Sequence, residues 1–180
     1  MFETITTVDL KILDFIAEYI KCGFLDKLMP IITKLGDHGI VPIAIAIVLI
    51  CIPKTRKTGI AMGIAFALGG LFGNVLLKNI IGRVRPYDAV SGIELLVPVL
   101  SDFSFPSGHT LVCFEAATVL LKREKRSVGI MALILAVLVA FSRLYLYVHY
   151  PSDVIAGILL GILFGLMGNF IADKIMISRI

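Results

Sequence analysis

Long apolar runs are the feature of this sequence that most constrains its fold. Crossing the hydrocarbon layer of a bilayer, about 30 Å thick, takes roughly 20 helical residues. Runs that approach this length are found at about 38–53, 59–77, 107–121, 127–147 and 152–172. With 58% hydrophobic and 17% charged residues, the composition is that of an integral membrane protein rather than of a soluble domain. We therefore predict an all-α, polytopic membrane helix bundle.

The first 35 residues differ from these runs because they interleave apolar and charged side chains. Ile12, Ile16, Tyr19 and Ile20 recur at helical spacing, which favours an amphipathic helix at the membrane interface or packed on the bundle. A sixth, charge-containing span is the alternative. We expect five to six transmembrane helices and an amphipathic N-terminal segment at 1–35.

Nothing in the sequence divides the chain further. It has no internal repeat, low-complexity segment or interdomain linker, so residues 1–180 are predicted to form a single membrane-embedded domain. The N-terminus lacks a basic start followed by an apolar run and a small-residue cleavage site, so no removable signal peptide is predicted. The three cysteines stand singly, without the paired spacing of a zinc site or a disulfide framework.

Two short basic loops predict how the bundle is oriented. "PKTRK" at 53–57 and "KREKR" at 122–126 should face the cytoplasm under the positive-inside rule. Counting spans from these loops places 78–106 and 148–151 on the opposite, extracytoplasmic face. The three polar clusters described next all fall on that face.

The first cluster, "KNIIGRVRP" at 78–86, carries Lys78 and Arg85 nearly two helical turns apart. Both could point the same way if the helix continued, but Pro86 biases Arg85 out of the helical region, so the helix is predicted to end there. Basic residues at the end of a span commonly extend to the headgroups. Their position opposite the basic loops weakens that interpretation.

The second cluster, "FPSGHT" at 105–110, stands before the third apolar run. Pro106 suits the first turn of a helix, whose N-terminus offers unpaired N–H groups and a positive dipole end to a phosphate. Ser107 can add a hydroxyl, Gly108 allows a close backbone approach, and His109 can donate or accept a proton. Taken alone, the stretch is more simply interpreted as a turn with a capping or interfacial histidine.

The third cluster, "SRLYLYVHYPSD" at 142–153, places Arg143 at the end of the fourth run and His149 in the connecting turn. Asp153 falls in the first turn of the fifth helix, where it could accept one ring N–H of His149 and leave the other nitrogen free to attack. Asp153 alone could instead be an acid that matches the helix dipole. The charge of Arg143 at the membrane edge requires a partner. Together the clusters predict a phosphoryl group held by cations and attacked by an imidazole.

The three clusters resemble the signature of the type 2 phosphatidic acid phosphatase (PAP2) superfamily, which reads KxxxxxxRP, PSGH and SRxxxxxHxxxD. All motif positions match, in order, between 78 and 153. The resemblance implies that His149 is the nucleophile that forms a phosphohistidine, with Asp153 setting its tautomer. It implies that His109 protonates the leaving oxygen and then activates water. It implies the following ligands for the phosphoryl oxygens: Lys78, Arg85, Ser107, Gly108 and Arg143.

The family resemblance also implies an activity and a substrate class. The high apolar content and short chain look most like the small bacterial lipid phosphatases of this superfamily, with the active site on the extracytoplasmic side of the plasma membrane. A polyprenyl diphosphate such as undecaprenyl diphosphate is the favoured substrate, and phosphatidate or phosphatidylglycerol phosphate is the alternative. No metal, other cofactor or nucleic-acid partner is expected. The oligomeric state is left open.

Three other functions compete with this interpretation. The same cradle could hold vanadate for halide oxidation, although the soluble architecture of those enzymes argues against it. A lipid-phosphate binding or flipping protein would need the cations but not a positioned His149 and Asp153. A protein that binds anionic headgroups through 53–57 and 122–126 would leave the histidines without a role.

Several polar residues are left without a function. Glu115 lies six residues after His109, inside the third run, where either a functional role or a hydrogen-bonded packing role is possible. Tyr145, Tyr147 and Tyr150 are expected to form an interfacial aromatic belt. Acids of the outer loop are expected to be solvated, or else to repel or position headgroups: Asp88, Glu94 and Asp102.

Overall fold

A computed structural model describes residues 2–177, with side chains described from residue 5 to 175. Every regular element in this part of the chain is helical. The α-helices are α1 (Phe2–Phe15), α2 (Gly23–Thr33), α3 (Ile40–Cys51), α4 (Arg56–Leu68), α5 (Lys78–Ile81), α6 (Pro86–Ala89), α7 (Gly108–Arg123), α8 (Arg126–Tyr145) and α9 (Pro151–Ile177). π-Helical turns follow α1 at Ile16–Ile20 and join α4 to α5 at Gly69–Leu77, and a 3-10 segment joins α2 to α3 at Lys34–Gly39. Met1 and residues 178–180, which the predicted single domain includes, lie outside the described residues.

Four helical stretches of the described chain are long and apolar enough to cross a membrane. They are Gly23–Cys51, Arg56–Ala89, Arg126–Tyr145 and Pro151–Ile175. This confirms an all-helical, multi-pass membrane architecture, whereas the count of five to six spans stays a prediction. The run predicted at 107–121 corresponds to α7, which has 16 residues and packs against α9, α8 and α4. Because most of its length is covered by protein, α7 can be short.

The N-terminal part of the fold adds one helix to the predicted pattern. The candidate span Gly23–Cys51 starts before the run predicted at 38–53, but it is interrupted at Asp37 and His38, whose backbones are not helical. The helix that follows, Ile40–Cys51, matches the predicted run. The helix α1 is amphipathic in an unexpected sense, since its buried face carries Asp9 together with Leu13. Val8 and Phe15 on the opposite side are more than half exposed. A carboxylate therefore faces the bundle, and apolar side chains face outwards.

Small residues bring α7 and α9 into close contact. A Cβ atom added at Gly157, Gly161 or Gly165 would lie only 2.6–2.8 Å from atoms of α7 or of the residue that caps it. These glycines recur every four residues on one side of α9, the spacing that lets membrane helices approach closely. The contact holds the start of α7 against the start of α9, where the Ser107 N–H donates to the Asp153 carbonyl at 3.1 Å. Two of the three predicted motifs thereby meet.

Candidate active site

The turn between α8 and α9 holds His149 inside the protein. The Val148 N–H donates to the Arg143 carbonyl at 3.2 Å, and Tyr147 adopts a left-handed conformation with φ of 59°. The imidazole that follows is 1% exposed. The sequence predicted this turn from its position between two apolar runs, and Pro151 begins α9 as expected.

His149 has a different partner on each ring nitrogen. Its Nε2 lies 3.2 Å from Arg85 Nη1 and faces the cations of the site. Its Nδ1 lies 3.4 Å from the Ser104 hydroxyl and 3.6 Å from Asp153 Oδ2, while Ser104 donates to that same carboxylate oxygen at 2.5 Å. These acceptors favour the tautomer with the proton on Nδ1, so the unprotonated Nε2 accepts a hydrogen bond from Arg85 Nη1. Ser104, which is fully buried and was not among the predicted site residues, bridges the histidine and the acid.

The pKa of His149 is lowered well below its ordinary value. Burial is the largest cause, and the positive charges of Arg143, Arg85 and Lys78 add to it. Protonating the ring would place another cation in a buried, positively charged site. The imidazole is therefore held in its neutral, nucleophilic form.

Asp153 is also held from the side away from His149. Arg83 Nη1 donates to Asp153 Oδ1 at 2.6 Å, and Arg83 Nη2 donates to Asp9 Oδ2 at 2.8 Å. The guanidinium of Arg83 lies 3.7 Å from the centroid of the Tyr150 ring. Asp9 also accepts the Ser152 N–H at 3.0 Å, so α1 is tied to the first turn of α9. Arg83 stands inside the first motif but was not selected, and its charge was the available signal.

Three buried cations from two distant parts of the chain line one cavity of about 1250 Å³: Lys78, Arg85 and Arg143. Arg143, 2% exposed, donates through Nη1 to Thr33 Oγ1 at 2.5 Å. Its Nε and Nη2 atoms are buried and find no hydrogen-bond partner among the described residues. A buried guanidinium with unused donors is suited to receive an anion. His149 and His109 line the same cavity.

Asp102, predicted to be a solvated loop acid, instead bridges two of these cations. Its Oδ1 accepts from Arg85 Nη2 at 2.6 Å, and its Oδ2 pairs with the Lys78 ammonium. Its partial burial acts to raise the pKa of the carboxyl group, but the hydrogen bonds and charges of Lys78 and Arg85 outweigh it. The net result is a pKa well below the usual range, so the bridge is ionic.

His109 is paired with an acid that the sequence motifs do not contain. Its Nε2 lies 2.7 Å from Asp37 Oδ1, across 72 positions of the sequence. Asp37 belongs to the segment between α2 and α3, where His38 and Gly39 both have left-handed backbones. The close approach also depends on Gly36, since an added Cβ would lie 3.0 Å from His109 Cδ2.

The start of α7 differs in detail from the prediction. The helix begins at Gly108 with Ser107 as its N-cap, so Pro106 precedes the helix instead of starting its first turn. The Leu111 N–H donates the first hydrogen bond of the helix, to the Ser107 carbonyl. The N–H groups of residues 108–110 therefore have no carbonyl partner within the helix. Gly108 lines the cavity, whereas the fully buried Ser107 hydroxyl is 2.9 Å from Thr110 Oγ1.

The tyrosines predicted to form an interfacial belt are buried instead. Tyr145 and Tyr147 are each 5% exposed or less, as is Tyr150. The Tyr145 hydroxyl donates to Asp26 at 2.8 Å, and the Tyr147 hydroxyl donates to Asp14 at 2.7 Å. The acids of the N-terminal segment therefore satisfy the phenols of the α8–α9 turn, which is why the belt interpretation was wrong.

Within residues 5–175, no group of three or more His, Cys, Asp or Glu side chains is arranged to hold a metal ion. The Lys and Arg side chains that line the cavity, Lys34, Lys78, Arg85 and Arg143, are suited to anionic oxygens.

The chain is similar to known proteins over most of its length. The family model described as the PAP2 superfamily matches residues 58–175, which include all three motifs. An undecaprenyl-diphosphatase of Sulfolobus acidocaldarius is 38% identical over 143 residues, 79% of this chain and 68% of that protein. LpxE of Aquifex aeolicus has a TM-score of 0.79 at 30% identity, with 88% of this chain and 93% of that chain covered. A transmembrane PAP2 type phosphatidylglycerolphosphate phosphatase of Bacillus subtilis has a TM-score of 0.78 at 32% identity, with 96% and 88% covered.

Proposed function

We propose that this chain, which belongs to the PAP2 superfamily, hydrolyses a membrane lipid phosphate or diphosphate through a phosphohistidine on His149. The observation that carries the proposal is the unused pair of donors on Arg143, buried in the cavity that His149 lines. Binding alone would need the cations, but it would not need a neutral imidazole with an unprotonated Nε2 beside them.

In the first step, the phosphoryl oxygens are bound by Lys78, Arg85 and Arg143, with the N-terminal N–H groups of α7 as further donors. The predicted contribution of the Ser107 hydroxyl would require it to turn away from Thr110. His149 Nε2 attacks phosphorus, and the bond from phosphorus to the leaving oxygen breaks. The Nδ1 proton stays directed toward Ser104 and Asp153, which stabilise the positive charge on the phosphorylated ring. His109 gives the leaving oxygen its proton.

In the second step, a water molecule attacks the phosphohistidine. His109 takes a proton from the water, and Asp37 stabilises the imidazolium that results. The phosphorus–nitrogen bond breaks, inorganic phosphate leaves, and neutral His149 is restored. No step calls on a metal ion, so we expect hydrolysis to continue in the presence of a chelator.

The active site is proposed to open on the extracytoplasmic side, and a polyprenyl diphosphate is the favoured substrate. The basic loops at 53–57 and 122–126 support this orientation, because both lie at the opposite ends of the helices that carry the site. The relative named as an undecaprenyl-diphosphatase supports the substrate. The structural neighbour described as a phosphatidylglycerolphosphate phosphatase favours phosphatidylglycerol phosphate or phosphatidate as the second candidate.

The test is phosphate release by purified protein in detergent, with EDTA present throughout. Wild type and His149→Ala are compared on undecaprenyl diphosphate, phosphatidate and phosphatidylglycerol phosphate. We expect release by wild type that disappears in the variant, with acid-labile phosphate on the wild-type protein after a rapid quench. The ranking of the rates decides the substrate. No release from any lipid, or equal release by the variant, would favour a binding or flipping protein instead.

A further inference from the structure

The cavity extends beyond the groups that bind phosphate, into the space between α7 and the π-helical turns at Gly69–Leu77. The residues that line this extension, which we call the deep arm, are Phe66, Gly69, Gly70, Asn74, Leu111 and Glu115. Most of these present carbon atoms or backbone. The polar side chains are Asn74, beside Gly108 at the upper end, and Glu115 below it. The deep arm therefore joins a hydrocarbon environment to a small number of hydrogen-bonding groups.

Glu115 has no function in the proposed mechanism and no partner that explains its burial. It is 1% exposed, and its Oε1 atom has no hydrogen-bond partner in the part of the chain that the structure describes. An ionised carboxylate without a cation is very costly in apolar surroundings, so the group is expected to be the neutral acid. In that form it has one O–H to donate.

The neighbouring helix leaves room for this carboxyl group. A Cβ atom added at Gly69 would lie 2.1 Å from Glu115 Oε1, and one added at Gly73 would lie 2.5 Å from Leu111 Cδ2. The same turns are π-helical, a local widening that is frequent at functional sites. The two glycines therefore let Glu115 and Leu111 pack directly against the backbone of these turns, and the carboxyl group fits there only while position 69 has no side chain.

The direction of the deep arm matches the direction of a bound lipid. Glu115 is six residues after His109, which places it roughly 9 Å farther along α7. That direction leads from the phosphate-binding cations into the membrane, the way the chains of a lipid follow its phosphate. In a glycerolipid the first polar atoms beyond the phosphate are ester oxygens, whereas a polyprenyl chain has none.

We propose that Glu115 donates a hydrogen bond to an ester carbonyl of a glycerolipid phosphate, with Asn74 as a second donor nearer the phosphate. The proposal rests on the proposed function and deepens it, because it names the residue by which this site would recognise the second candidate substrates, the glycerolipid phosphates. A polyprenyl diphosphate would fill the deep arm with hydrocarbon and gain nothing from Glu115.

The test compares a diacyl phosphatidate with its dialkyl ether analogue of the same chain length, which lacks the carbonyls. Farnesyl diphosphate is the third substrate. Glu115→Leu should lower kcat/KM for the diacyl lipid about tenfold, as loss of one hydrogen bond would, and leave the other two within about twofold. Glu115→Gln keeps a donor and should retain most of the diacyl activity.

Thermal unfolding separates this role from a structural one. Because Glu115→Leu removes a buried polar atom that has no partner, its Tm should equal or exceed that of wild type. A lower Tm with equal losses on all three substrates would overturn the proposal. Equal kcat/KM of the wild-type enzyme for the diacyl lipid and the ether lipid would also overturn the proposal, and this comparison can be made without any variant.

Binding measurements keep the inference separate from the catalytic proposal. The Kd of each lipid for His149→Ala and for the double variant with Glu115→Leu is measured in detergent micelles. A preference for the diacyl lipid that depends on Glu115 supports the deep arm as a binding site even if wild type hydrolyses none of the lipids. Hydrolysis that depends on His149, with no such preference in binding or kinetics, rejects the deep arm and leaves the proposed function in place.

Discussion

The carboxylate of Asp153 lies 3.6 Å from the Nδ1 atom of His149, beyond the length of a good hydrogen bond. The Ser104 hydroxyl donates to Asp153 at 2.5 Å and stands 3.4 Å from Nδ1, so it supports the pair from one side. Position 104 therefore contributes to orienting the proposed nucleophile, although it lies outside the three motifs.

Ser104→Ala should reduce kcat by about tenfold or more, because it removes a hydrogen bond to a buried carboxylate and leaves Nδ1 with the more distant partner alone. Steady-state phosphate release measures the effect. Ser91→Ala, an exposed change in the same outer loop, is the control and should match wild type. Unchanged kcat in Ser104→Ala would mean that Asp153 orients the ring without help.

Asp9→Asn should destabilise the protein and slow the reaction together. Asp9 is 4% exposed and holds Arg83, which in turn holds Asp153, so the variant weakens a buried ionic pair at a cost of about 2 kcal/mol or more. Thermal unfolding and kcat are both measured. Glu18→Gln, an exposed change in the same N-terminal segment, should alter neither. A normal kcat together with a lowered Tm would mean that Asp9 contributes to stability but not to the reaction.

Asp37→Asn should impair proton transfer by His109 selectively. Without the carboxylate, the imidazole loses the partner that favours its protonated form, so hydrolysis of a lipid monophosphate should fall about tenfold or more. A substrate with a good leaving group, such as p-nitrophenyl phosphate, needs no proton in the first step and should be much less affected when that step limits the rate. Equal losses on both substrates would contradict the assignment.

The ion pairs of Asp102 should persist to acid pH. Because Lys78 and Arg85 hold its pKa below the ordinary value of 3.8, the stability that the folded protein gains from the carboxylate is complete above that value. It is lost only as the pH falls further, through the folded-state pKa. The difference in Tm between wild type and Asp102→Asn should be constant from pH 8 to 5 and should shrink below about pH 4. If the difference in Tm already shrinks between pH 7 and 5, a group other than Asp102 causes the pH dependence.

In a plot of kcat/KM against pH, the fall at low pH that reflects protonation of His149 should have its midpoint below pH 6.5, the ordinary pKa of a histidine. Burial and the charges of Arg143, Arg85 and Lys78 lower its pKa, so the nucleophile stays neutral as the pH falls through 6.5. Below the folded-state pKa, protonation removes the lone pair. Lys78→Gln takes away one of the lowering charges and should move this midpoint to higher pH, even though substrate binding weakens. A wild-type midpoint at or above 6.5 would contradict this account.

The sequence located the groups with the clearest chemistry. Apolar runs predicted the helical membrane fold, and charge or imidazole at the ends of those runs selected Lys78, Arg85, His109, Arg143 and His149, which the structure brings to one cavity. These residues could be found because an ionisable group beside a long apolar segment is unusual in itself.

The residues that support this set could not be found in the same way. Asp37, Asp9 and Arg83 act on partners 70 to 74 positions away, and nothing in the local pattern distinguishes them from solvated charges. Ser104 is one small polar residue in a loop. The helix Gly23–Thr33 was not predicted as part of a span because Lys21, Asp26 and Lys27 interrupt its apolar pattern.

The helix α7, which carries His109, is shielded from the surrounding lipid by other helices. It has only 16 residues, and its neighbours α4, α8 and α9 cover most of its length. Mismatch between protein and bilayer thickness is accommodated by tilt of the helices that face lipid. When the lipid-facing helices tilt in a thicker or thinner membrane, the start of α7 should therefore move together with the start of α9, to which the Ser107 N–H is bonded, and keep its position relative to Asp153.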